Sequence, residues 1–427
     1  MISPALGHIL LSLIVGVSIV LMLIRPRNIP EVYWISAGVL LLLVLRLITF
    51  RLAGHAIEKA FDVCFFLIGM MLLSELAREH GVFDWLSSIA VRSADGSCLR
   101  LFALVYGVGT VVTVFMSNDA TAVVLTPAIL SAVRKARVQP LPYLFACAFI
   151  ANAASFLLPI SNPANLVVFH DAMPPLGRWL LAFGVPSALS IVTTFFVLRR
   201  IFRKELRETI EHRVEPRFLN GNGKLVLSSA ALMIAVLLMA SSMGKDLGLP
   251  TCLAAVAITV FVCIKEWSNP LILAREISWE TLALVAGLFV MVDGIESIGA
   301  MRYTTQWLAW TRHLGLVAGE MVTGFAVGVA NNLVNNLPLG LIAGSTLHAA
   351  HANGALAQPV LIGVDLGPNL SITGSLATIL WLIALRKEKL DVSFWGFLKV
   401  GMVAMPIALL ASLGGAIIMQ LWFANCP

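Results

Sequence analysis

The sequence predicts an all-α polytopic membrane protein: about ten transmembrane helices plus two re-entrant hairpins, built as two inverted-topology repeats. Three observations carry this. The 427 residues are 59% hydrophobic and 12% charged, against roughly 45–50% and 25% in soluble proteins. A set of apolar runs long enough to cross a bilayer follows one after another. The second half of the chain repeats the first at a near-constant offset. So apolar a surface needs lipid as its solvent. Disorder, nucleic-acid binding and a secreted disulfide scaffold are excluded at this step.

A membrane helix needs about 20 mostly apolar residues. Clear candidates are 5–24, 31–50, 60–77, 178–198, 225–243, 250–264, 279–298 and 394–422. The first lacks a basic leader and a cleavage signal, so it is expected to be retained. Two longer apolar stretches, 143–170 and 356–385, are interrupted by polar residues, Pro and Gly. Two others, 100–137 and 316–352, carry polar clusters at their middles: Ser117-Asn118-Asp119-Ala120-Thr121, and Asn331-Asn332 with Asn335-Asn336. Treated as hairpins that enter and leave on one side, these two leave ten true spans. With the N-terminus outside, 21 basic residues fall inside and six outside, a strong positive-inside bias. Full spans there would scramble it. The expected organisation is a first repeat over 1–198 with hairpin 100–137, a basic cytoplasmic linker over 199–224, and a second repeat over 225–427 with hairpin 316–352.

The repeat is visible in single residues. Phe61-Asp62 lines up with Trp279-Glu280, Gly69 with Gly287, Glu75 with Asp293, Gly81 with Gly299 and Asn118 with Asn336, all 218 apart. Past the hairpins the offset is about 213, carrying Asn152 onto Asp365 and Asn162 onto Ser375. Five spans per half is an odd number, so the second half inserts upside down. Inverted repeats of this kind are characteristic of secondary transporters.

Irregular backbone at membrane depth is tolerated only when buried in protein or lining a wet cavity. The two tips and two breaks are expected to meet near the centre, where half-helix ends aim their dipoles inward. Asn118, Thr121, Ser161, Asn162, Asn165, Asn335, Asn336, Thr373 and Ser375 would surround a small polar solute there. Helix capping and turn chemistry remain open for the same Asn and Ser residues. No Lys, Arg or His lies in the breaks, which argues against a multivalent anion. Asp119 and Asp365 are the candidate proton-coupling acids, since intramembrane carboxylates mark function; an N-cap role for Asp119 is the competing account. Glu75 and Asp293 rank below them, and Asp62 and Glu280 read as interfacial caps. The scattered cysteines show no metal or disulfide spacing; Cys64 and Cys147 read as packing residues. No phosphate-binding loop or catalytic constellation occurs, so the chain reads as a transporter and not an enzyme, with no cofactor beyond a coupling proton.

The runs Met116–Pro127, Leu158-Pro159-Ile160-Ser161-Asn162-Pro163-Ala164-Asn165-Leu166, Asn335-Asn336-Leu337-Pro338 and Gly363–Thr378 (beginning Gly363-Val364-Asp365-Leu366-Gly367-Pro368) resemble those of the arsenite efflux pump family, ArsB, in the ion transporter superfamily. The likeness spans essentially the whole chain in order. It implies a multi-pass protein of the prokaryotic inner membrane that exports arsenite and antimonite, as neutral hydroxides, in exchange for protons. It further implies a scaffold-plus-transport-domain arrangement, often as a homodimer, that runs either alone on the proton gradient or docked to a soluble arsenite-stimulated ATPase, for which the basic linker is a candidate surface. A sodium/proton antiporter or a carboxylate carrier of the same superfamily is the alternative.

Overall fold

The computed structural model describes residues 4–170, 173–210, 218–267, 269–351 and 356–425. The middle of the predicted linker, 211–217, and Cys426 lie outside them. Helix dominates because an apolar chain in lipid has no other partner for its backbone polar groups. The first half runs α1 (Pro4–Ile24), α2 (Glu31–Val44), α3 (Phe50–Glu79), α4 (Val82–Ser93) and α5 (Cys98–Met116), then a π-helical turn over Ala120–Leu125 into α6 (Thr126–Lys135). It continues through α7 (Leu141–Ala153), α8 (Pro163–Val168) and α9 (Leu176–Ile201). The second half runs α10 (Gly221–Ser242), α11 (Gly248–Glu266), α12 (Pro270–Glu276), α13 (Trp279–Ser297), α14 (Met301–His313), α15 (Leu316–Val334), α16 (Asn336–Ala349), α17 (Ala357–Leu366), α18 (Leu376–Lys387) and α19 (Phe394–Asn425).

Among the described residues, eight helices are long and apolar enough to cross a bilayer: α1, α3, α5, α9, α10, α11, α15 and α19. The pair α12–α13, bent by 50°, makes a ninth. The predicted hairpins are present, with α5 and α15 as their long first arms. The predicted spans at 143–170 and 356–385 are each two short helices, α7 with α8 and α17 with α18, separated by irregular backbone. Only 28% of the apolar window of α1, α9 and α10 is buried, so most of each faces lipid.

Two boundaries differ from expectation. The span expected at 31–50 ends as helix at Val44, where the chain turns through Arg46 at φ 54°. Helix α3 then begins at Phe50 and not near 60, because Thr49 Oγ1 accepts from Leu52 N at 3.1 Å and caps it there. The polar Arg51–Lys59 run hid this start, since a helix continues past the bilayer where apolar counting stops. The amphipathic connectors α4 and α14 were also not anticipated. Asp62 is a cap, but of another helix: it sits inside α3 and accepts from Gly248 N, at the start of α11 (2.8 Å).

The halves correspond element by element. Helices α5 and α15 have the same length and end 218 residues apart, each on a left-handed residue of similar geometry: Ser117 (φ 113°, ψ 160°) and Asn335 (φ 80°, ψ 154°). Contacts exchange accordingly. Helix α3 packs on α11 as α13 packs on α2, and α5 on α7 as α15 on α17. Asp62–Gly248 and His80–Glu266 (2.9 Å) are both 186 residues apart, so α3 and α11 run parallel. Lys59, early in α3, pairs with Asp293, late in α13 (3.2 Å). Helix α3 and its counterpart therefore run antiparallel, as an inverted repeat requires.

Packing also divides the chain another way. Helices α1–α3 and α10–α13 contact one another and form a frame; α5–α9 and α15–α19 form a block. Each body draws on both repeats. The connectors α4 and α14 pack on the hairpins.

Candidate functional site

All four polar interruptions lie in the block. At the first tip Ser117 Oγ accepts from Ala120 N (3.4 Å), and Asp119 occupies the cap position without making a side-chain capping bond. The capping role thus falls to Ser117, and the Asp119 side chain lines a cavity instead. At the second tip Asn335 Oδ1 accepts from Leu337 N (3.4 Å) while its Nδ2 donates to Thr373 O (3.3 Å).

The sequence-predicted residues sort into three groups. Thr121, Ser161, Asn165 and Thr373 stitch the irregular backbone. Thr121 Oγ1 meets Thr113 Oγ1 across the first hairpin (2.8 Å), and Ser161 Oγ donates to Val114 O (2.9 Å). Asn165 Nδ2 reaches Ser155 O and Leu158 O (2.9 and 3.2 Å), and Thr373 Oγ1 donates to Asn332 O (3.1 Å). Asn162 and Ser375 cap the helices that leave the breaks: Ala164 N donates to Asn162 Oδ1 (3.0 Å) and Thr378 N to Ser375 Oγ (3.1 Å). The third group is left open. Asn118 and Asn336, both buried, have Oδ1 atoms without a protein partner, as do Asn165 and Asn331, whose Nδ2 groups nevertheless hold backbone carbonyls. Asp365, with none of its surface exposed, accepts from Asn162 Nδ2 (2.8 Å) through Oδ1, and its Oδ2 has no partner. A buried polar atom left unpaired costs about 1–3 kcal/mol. That two of these fall on repeat-matched Asn residues at the tips marks the tips as built for contact with something else.

Other polar residues support this arrangement. Asn152 donates to Asn369 Oδ1 (2.9 Å), joining the two broken spans, and Asn369 donates to Phe149 O (3.1 Å). Asn332 is a hub, donating to Gly328 O and Gly367 O and accepting from Ser371 N and Oγ. Asn332 sits about one helical turn behind the tip, and that spacing was the signal for it in the sequence.

A cavity of about 150 Å3 lies where the block meets the frame. Leu67, Met70 and Ser74 of α3 form one wall; Ser117, Asp119 and Ala120 of the first tip form the other. Glu75 of α3 and Glu276, Ser278 and Thr281, around the start of α13, also line it. The lining holds three carboxylates and, among the described residues, no Lys, Arg or His. Beside the second tip the corresponding space is about 10 Å3. Leu376, at the start of α18, lines both spaces, so the two tips flank one point. Glu276 gave no signal in the sequence, because it reads as an ordinary loop charge until α12 folds it beside Glu75.

Two broken helices and two hairpins, in one block set against a frame, is the architecture to compare with known proteins. A family model described as citrate transporter (CitMHS) matches residues 19–364. The chain belongs to this citrate transporter family. It is similar to the arsenical pump membrane protein of Escherichia coli strain K12, with 28% identity over 353 residues, 79% of this chain and 81% of that one. It is similar also to a putative arsenical pump membrane protein of Bacillus subtilis, with 22% identity over 417 residues, 91% and 94% of the two chains. Among solved structures, the YdaH transporter of Alcanivorax borkumensis, described as having an unusual topology, superposes with a TM-score of 0.58 at 14% identity over 89% of each chain. That likeness concerns the fold. As a member of this family the chain is a multi-pass membrane transporter, with relatives in bacteria.

Proposed function

We propose that the chain exports trivalent arsenite and antimonite, as uncharged hydroxides, from the cytoplasm in exchange for protons. The observation that carries this is the lining of the site. Neutral amides and hydroxyls surround the tips, Asp119, Glu75 and Glu276 flank the approach to them, and the basic residue beside that approach, Arg78, is paired with Glu75 (2.8 Å). A citrate trianion at such a wall meets three carboxylates, and the cation beside them, Arg78, is already engaged by Glu75. A neutral trihydroxide offers donors and lone pairs that match amide and carbonyl partners. The similarity to arsenical pump proteins supports the same substrate class.

On the orientation set by basic residues, the open cavity faces the cytoplasm and the second tip is closed. This is the loading state of an exporter. Sliding of the block past the frame would exchange the two, carrying Asn118, Asn336, Asn162 and Ser375 with it. The coupling ion must bind a group whose protonation biases the two states. Asp119 is that group in this account, and Asp365 the second. Everted vesicles test the proposal: they should accumulate arsenite when a pH gradient is imposed and not in its absence. Asp119→Asn should keep arsenite exchange and lose uphill accumulation. Accumulation of citrate, or accumulation driven by sodium alone, would establish the alternative carrier instead.

A further inference from the structure

Glu320 is a carboxylate the transport cycle above does not use. It lies one turn into α15, on the first arm of the second hairpin, with 1% of its surface exposed. Neither carboxylate oxygen has a hydrogen-bond partner. The polar side chain beside it is Gln420 of α19. Gln420 Nε2 donates to Gln358 Oε1 of α17, and Gln358 Nε2 donates to Ala182 O of α9 (3.3 Å). The two amides thus tie α19, α17 and α9 together beside Glu320. A Gln amide there can accept from the O–H of a neutral carboxyl group through its oxygen or donate to a carboxylate through its nitrogen.

The first repeat supplies a control. The residue 218 positions earlier is Phe102, whose ring packs against Tyr106, Tyr143 and Phe195, with centroids 6.3, 6.4 and 5.5 Å away. The hairpin arm therefore folds and docks with an aromatic ring at this place. An acid here contributes nothing the architecture requires, and a buried ion without a partner is strongly disfavoured. Other charged groups on the elements packed against α15 lie at the surface, while Glu320 is buried. Arg302, Arg312 and His313 of α14, His348 of α16, Lys399 of α19 and His8 of α1 are all exposed. Asp365 lies seven residues beyond Gln358 along α17, about 10 Å of helix rise.

We propose that Glu320, with the Gln420–Gln358 amide pair, is a further proton-binding site, at the outer end of the second hairpin and separate from Asp119 and Asp365. Its ligand is a proton arriving from the outer face, and binding converts the carboxylate to a neutral carboxyl held against Gln420. The proposal deepens the proton-coupled account and rests on it.

Infrared difference spectra of the purified full chain, recorded between acid and alkaline pH, test the site without arsenite. One component of the carboxyl C=O absorption that titrates with pH should be common to the wild type and Asp119→Asn and missing from Glu320→Gln, while the components from the other acids remain. In everted vesicles Glu320→Gln should keep arsenite exchange while pH-driven accumulation falls at least tenfold. Glu320→Phe, which installs the first repeat's residue, should fold with an unchanged melting temperature and show the same transport defect. The proposal is overturned by a band unchanged in Glu320→Gln, by variants that accumulate arsenite like the wild type, or by unfolding of both variants, which would assign Glu320 to architecture. If the substrate assignment fails, the wild type itself accumulates no arsenite while the infrared band remains.

Discussion

Asn118 and Asn336 occupy matching places, are buried, and keep an oxygen without a protein partner. Replacing either by Ala removes one uncharged hydrogen bond to solute, worth about 1 kcal/mol, or about fivefold to tenfold in half-saturating arsenite. Uptake measured against concentration in everted vesicles should show this shift at unchanged protein abundance. Asp365 behaves differently because its partner is protein. Asp365→Ala leaves the Asn162 amide buried without its acceptor, and a melting temperature in detergent should fall by the equivalent of about 1–3 kcal/mol. Asp365→Asn preserves an acceptor oxygen and should melt close to the wild type. The types of these residues were readable in the sequence, since Asn, Ser and Asp in an apolar run are conspicuous. Their division of labour was not. That Ser161 and Asn165 turn to backbone carbonyls while Asn118 stays open depends on torsions of the irregular segments, which no periodicity encodes. Glu320 went unnoticed because one acid among apolar residues near a helix start resembles a surface residue until α17 and α19 close over it.

Among elements, the hairpins and broken spans were legible because Pro, Gly and Asn interrupt long apolar runs, and because the basic residues forbid threading them as simple spans. Helix starts were less so: α3 extends ten residues beyond its apolar core, and α12 breaks from α13 at Ile277-Ser278. The hold between elements depends on close backbone approach. A Cβ on Gly363 would stand 2.7 Å from Gly324 O, and one on Gly367 2.6 Å from Gly328 O, so α17 lies directly on α15. Gly363→Ala should lower the melting temperature by the equivalent of about 1–3 kcal/mol, the usual range for overpacking. Gly54→Ala, with nothing within 4 Å of the added atom, should be neutral or stabilising by about 1 kcal/mol, from helix propensity alone.

At the scale of the whole molecule, the inverted repeat was readable from a constant offset, but the frame and block were not, because each takes elements from both repeats and only tertiary contacts reveal the partition. A cysteine introduced at Lys204 should react with impermeant reagent only from the cytoplasmic face; reaction from the periplasmic face alone would falsify the orientation. Met71 of the frame and Val123 of the block both line the open cavity. A cysteine pair there, joined by a short cross-linker, should stop arsenite turnover, and cleavage of the linker should restore it.

The glycines say one thing more. Every described glycine whose added Cβ would come within 3 Å of other backbone in the frame or the block meets a neighbour of its own body: Gly69 and Gly248 between α3 and α11, Gly223 on His80, Gly344 on Val168, and Gly363, Gly367, Gly374 and Gly401 in the block. The seam between bodies is surfaced by Leu67, Met70, Leu288, Leu376 and similar side chains. Long aliphatic chains rearrange by rotamer, whereas backbone-on-backbone contacts admit no intermediate position. Inheritable change therefore has two separate targets. A substitution at the glycine contacts alters how much protein assembles; one along the seam alters how fast the assembled protein cycles. A lineage under shifting substrate supply can retune its transport rate one side chain at a time, leaving assembly untouched.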